Sequence, residues 1–80
     1  MELDKSYVGT RWIINEFVYP ESKGYIAIIT GFTKRNNVCY LYDGNNIESV
    51  CSKDYFLYSF VIIDKVYELK RSIRKIKDSL

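Results

Sequence analysis

The 80 residues include no histidine. Imidazole is the commonest general base and metal ligand near neutral pH. Its absence excludes hydrolases whose serine or cysteine nucleophile depends on a histidine, and excludes a histidine-ligated zinc or iron site. The carboxylates downstream of the first loop are Asp43, Glu48, Asp54 and Asp64. Asp43 opens an Asp-Gly turn and Asp64 precedes a helix-forming stretch, so both have local structural duties. Nothing pairs the four for acid–base work, and no glycine-rich phosphate loop is present. The sequence therefore points to no catalytic residue, no metal and no cofactor, and to a protein that is not an enzyme. The two thiols, Cys39 and Cys51, are too few for a disulfide framework. They read as reduced and packed, with a bridge across a hairpin as the alternative.

What remains is binding chemistry. Eight tyrosines, four phenylalanines and one tryptophan exceed what a core of this size needs. Tyr40 and Tyr42 share one face of a strand, Tyr55, Phe56, Tyr58 and Phe60 follow closely, and Tyr19 and Tyr25 flank the only proline. Aromatic faces stack on bases, hold cations or anchor protein partners. The plain competing reading is half-buried filler with hydroxyls left in water. Cations are the second resource: Lys34 and Arg35 in a polar turn, Arg11, and Lys70, Arg71, Arg74 and Lys75 near the C-terminus. With tyrosines they would suit a nucleotide or a single strand of nucleic acid. The net charge of only +2 argues against duplex binding.

These residues must be positioned by two kinds of segment. Residues 1–64 carry six cations and eight anions and are rich in β-branched and aromatic side chains, whereas residues 65–80 carry six cations and two anions. The mild total thus hides an acidic body and a basic tail. Strands are predicted at 11–18, 24–33, 38–43, 47–51 and 57–63, separated by turn chemistry at residues 19–24, 34–37, 43–46 and 52–54. Gly31 marks a bulge, Asp43-Gly44 a hairpin, and Ser52 the cap of a single 3₁₀ turn. Five short strands in an open sheet would expose an apolar face and two edges. Closure into a small barrel is favoured, over an open sheet covered on one face by the final helix.

Gly9-Thr10-Arg11-Trp12, the glycine-led strand from Gly24 to Ile29, the run Val38 to Gly44 and the Asp54-Tyr55-Phe56-Leu57 turn together resemble the small SH3-like or Tudor-like barrels of bacteriophage genomes. The resemblance covers residues 8–62. It implies an all-β, five-stranded SH3-like small barrel over residues 1–63; the C-terminal amphipathic α-helix expected over 64–80, in the same structural unit, is not part of that pattern. It also implies adjacent loops, so that Tyr19, Tyr25, Tyr42 and Tyr55 line one groove. The functions implied are non-enzymatic: binding of a host protein, often to blunt host defence, or binding of a nucleic acid or nucleotide signal.

Asp64 is a good N-cap for the last segment, which lacks glycine and proline. Val66, Leu69, Ile73, Ile76 and Leu80 recur at heptad spacing, and Ile62 extends the series backwards. Lys70, Arg71, Arg74, Lys75 and Lys77 take the other face. The stripe predicts self-association, most simply a homodimer, ahead of docking on the chain's own barrel or in a foreign groove. The favoured reading is a phage-type inhibitor or adaptor that docks on a host protein in the cytoplasm. A tyrosine-stacking binder of nucleotide or nucleic acid is the alternative. No secretory leader or membrane-spanning run is legible.

Overall fold

The computed structural model describes residues 2–79. Its body is an antiparallel five-stranded sheet: β1 (Arg11–Ile14), β2 (Ile26–Phe32), β3 (Val38–Tyr42), β4 (Glu48–Cys51) and β5 (Phe60–Ile62). The spatial order is β4-β3-β2-β1-β5. The first four strands form a meander. The fifth returns beside the first, pairing Trp12 with Ile62, Ile13 with Val61 and Ile14 with Phe60. Among the described residues no ladder joins β4 to β5, so the sheet keeps two edges.

Turn chemistry places the strands as predicted. Gly44 has φ +82° and Asn36 φ +66°, the left-handed backbone that glycine and asparagine tolerate best. The β2–β3 register shifts between Ile29 and Gly31, at the predicted bulge. β1 is shorter than predicted. It ends at Ile14 because Asn15 accepts hydrogen bonds from the backbone N–H groups of Val18 and Tyr19 at its carbonyl, and from Phe17 at its side chain.

The largest departure lies after β4. The predicted fifth strand at 57–63 is only partly a strand, because Lys53–Ser59 forms a helix, α1, that leads directly into β5. The Ser52 side chain accepts from the Tyr55 N–H at 3.2 Å, so the predicted capping residue serves a longer helix. Helical spacing then puts Phe56 and Phe60 on one side, fully buried and stacked at 4.7 Å between centroids. Replacing Ser52 with alanine is expected to cost about 1 kcal/mol, a fall in Tm of roughly 4–8 °C for a domain of this size. Thermal unfolding followed by circular dichroism measures it.

One face of the sheet makes the core. Trp12, Ile14, Ala27, Ile29, Val38 and Tyr40 alternate inward, and Phe56, Phe60 and Leu3 cover them. The covering element is α1 and not the final helix. Cys39 sits opposite Val50 on the outer face, whereas Cys51 sits opposite Val38 on the inner. Both thiols are free, and their opposite faces rule out the hairpin bridge. Burial is the main cause that pushes both thiols above the ordinary cysteine pKa.

The second helix, α2 (Lys65–Ser79), starts where predicted, with Asp64 accepting from the Tyr67 N–H at 2.9 Å. Val66, Leu69, Ile73 and Ile76 are exposed. The stripe therefore does not dock on its own body. Leu80 lies outside the described residues. Ile62 belongs to β5 and packs against the core, so it does not extend the stripe. The molecule measures 50 × 25 × 21 Å, the long axis being that of a body with a projecting helix. No helix among the described residues is long and apolar enough to cross a membrane.

Candidate binding site

In an antiparallel meander, successive turns alternate between the two ends of the sheet. The β1–β2 connection, carrying Tyr19 and Tyr25, therefore shares an end with the β3–β4 turn that follows Tyr42. β4 finishes at the far end, and α1 crosses back over the core with Tyr55 in its first turn. The topology alone gathers Tyr19, Tyr25 and Tyr42, and Tyr55 joins them through its side chain, whose hydroxyl meets that of Tyr19.

Side-chain geometry completes the cluster. Tyr25 packs on Tyr42 with ring centroids 5.9 Å apart. Tyr42 meets Tyr40 edge-on at 5.7 Å, and Tyr40 in turn meets Phe56 and Phe60 at 5.4 and 5.5 Å. The surface tyrosines are thus the outer end of an aromatic chain rooted beside Trp12 (5.1 Å from Phe56). Offset and edge-to-face pairs of this kind add about 0.5–1.5 kcal/mol beyond area burial. They fix the rings before any partner arrives. The Tyr19 and Tyr55 hydroxyls are hydrogen-bonded to each other across the mouth. That bond is the main cause that pushes the Tyr55 phenol above the ordinary tyrosine pKa.

Two hollows adjoin here. One, of about 200 Å³, is lined by Tyr19, Tyr42 and Tyr55, and the other, of about 380 Å³, by Tyr25, Tyr42 and Asp43. Ser22 borders both. Tyr25 and Tyr55 are 59% and 49% exposed, so both rings offer surface to a partner while held on the core side. Asp43 was not among the residues singled out for the groove. Its position immediately after Tyr42 was the available signal. Its carboxylate is 3.4 Å from the Arg11 guanidinium, an exposed pair worth little to stability.

Lys34 and Arg35 are not part of this site. They occupy the β2–β3 turn, at the opposite end of a seven-residue strand. At about 3.3 Å per residue, that separation is on the order of 20 Å. Lys34 borders a different recess, with Asp4, Phe32 and Lys53. The helix cations are elsewhere as well. Arg71 and Arg74 face a groove of about 640 Å³ on the outer side of the sheet, floored by Ile13, Ile26 and Val61 with Phe17 beside them. No lysine or arginine lines either tyrosine hollow.

Set against models of known families, curated proteins and solved structures, the chain gives no match. No cluster of histidine, cysteine or acidic side chains among the described residues could hold a metal ion.

Proposed function

We propose that the chain is a non-enzymatic binding protein that engages a protein partner through its tyrosine surface. The observation that carries this reading is the composition of the two hollows. Their lining is mainly aromatic and hydroxylic, with Asp43 as the charged group and the adjoining cation, Arg11, held by that carboxylate at 3.4 Å. A phosphate-bearing ligand needs cationic or N–H donors where its charge lies, and stacked tyrosines without them suit apolar or cationic side chains of a protein. The nucleotide alternative also loses Lys34 and Arg35, which stand at the other end of the sheet. The antiparallel order, with β5 returned to β1, supports a small SH3-like β-fold. The phage context and a host target follow from the sequence resemblance.

The test uses the purified chain as bait in a bacterial lysate, beside a Tyr25→Ala/Tyr55→Ala variant. A protein should be retained by the wild type at both about 0.1 M and about 1 M salt, since screening affects an aromatic contact little. Once that protein is identified, each alanine should weaken its binding by about 2 kcal/mol, about thirtyfold in Kd. Capture of a nucleotide or nucleic acid that is released at high salt would overturn the reading, as would equal capture by the variant.

A further inference from the structure

Two apolar faces of this chain are unpartnered. The first is the α2 stripe, where Val66, Leu69, Ile73 and Ile76 are 59, 62, 46 and 61% exposed. The second is the outer face of the sheet. There Ile28 stands across from Leu41, and Val50, paired with Cys39 and 53% exposed, lies two residues along β4 from Glu48, the residue across from Leu41. Within one chain these faces cannot meet. The side of α2 that overhangs its own sheet carries Arg71 and Arg74, and the stripe points away from it.

We propose that two copies of this chain associate by laying the α2 stripe of each across the outer sheet face of the other. Charge selects this arrangement over the simpler pairing of two helices. At about 100° per residue Lys70 and Lys77 fall not on the opposite face expected from the sequence but along one border of the stripe, with Lys65 along the other. Pairing two such helices antiparallel sets Lys70 against the partner's Lys77, and pairing them parallel sets Lys65 against the partner's Lys70. Like charges at those positions oppose association. The outer sheet face offers an exposed acid to that border. Glu48 stands directly across from Leu41, accepts a hydrogen bond from the Thr30 hydroxyl at 3.0 Å and remains exposed. Asp43 is held by Arg11 at 3.4 Å, so Glu48 carries the attraction.

From Val66 to Ile76 the helix rises about 15 Å, and the two strand spacings of about 4.8 Å from β2 to β4 cover about 10 Å of that length. A two-fold axis makes the contact reciprocal, so one interface covers both apolar faces on both copies.

Light scattering after size-exclusion chromatography, with native mass spectrometry, tests the proposal on the full chain. The wild type should show a dimer mass. Ile73→Lys on the helix and Val50→Lys on the sheet should each raise the dimer dissociation constant about tenfold or more, with circular dichroism and tryptophan emission unchanged. Lys77→Glu should weaken the dimer, and adding Glu48→Lys to the same chain should restore it. Helix-to-helix pairing makes the contrary forecast: Val50→Lys is silent, and Lys77→Glu strengthens the dimer or leaves it unchanged. Either of those results, or a wild type that stays monomeric across concentration, overturns the proposal.

Discussion

Replacing Trp12 with alanine should cost about 3–5 kcal/mol, among the largest losses available to one substitution. Trp12 is 1% exposed and lies in the strand flanked by both β2 and β5. Its ladder partners are Ala27 and Ile62, and its indole packs against the rings of Phe56 and Tyr7, 5.1 and 6.2 Å away. The indole N–H donates to the Thr10 hydroxyl oxygen at 2.9 Å, and that hydroxyl donates to the Tyr7 carbonyl. Alanine would open a cavity beneath Phe56 and leave Thr10 without its donor. Domains of this size have only about 5–15 kcal/mol in total, so Tm should fall by more than about 12 °C. Urea unfolding followed by circular dichroism gives the number. A loss below about 1 kcal/mol would mean that the core does not centre on this ring.

Alkaline pH should produce the second large effect, through Tyr40. It is 8% exposed and packs against Tyr42, Phe56 and Phe60. Burial first, and its neighbours second, push its phenol up to about 12 from the ordinary 10. The folded state therefore holds a proton that the unfolded state releases. The associated stability is complete below about pH 10 and is lost as pH rises from 10 towards 12. Tyr40→Phe has nothing to ionise there. The drop in urea midpoint between about pH 8 and about pH 11 should be smaller in that variant. An equal drop in both proteins would show that Tyr40 does not carry the dependence.

Much of this fold is legible in local chemistry. Gly44, Asn36 and Gly31 announce two turns and a bulge, and Ser52 and Asp64 cap helices, because each answers a backbone requirement within a few residues. Leu57 to Ser59 mislead for the opposite reason. Aromatic-rich sequence favours strands by composition, yet tertiary burial of Phe56 and Phe60 on one side outweighs that preference. The tyrosine site was readable as a set; the alternation of turn ends in a meander explains the meeting of Tyr19, Tyr25 and Tyr42, while Tyr55 joins from α1 through its hydroxyl contact with Tyr19. That same alternation separates Lys34 and Arg35 from it, a deduction that needs only strand order. The Arg71 and Arg74 groove was beyond reach, since no spacing in the sequence says which side of a projecting helix turns towards the sheet.

The return of β5 to β1 also bears on how quickly the chain folds. Within the meander each strand meets its sequence neighbour, so those contacts close short loops. Joining Trp12 to Ile62 instead closes a loop that holds most of the body. Non-local closure of this kind is what slows small β-rich domains. Its entropy grows only logarithmically, with a doubling of loop length adding about 0.6 kcal/mol. A few residues inserted into the exposed turn after Tyr42 would leave the folding rate nearly as it is. A defect at the Ile14–Phe60 pair, where the loop is sealed, would act on unfolding and folding together.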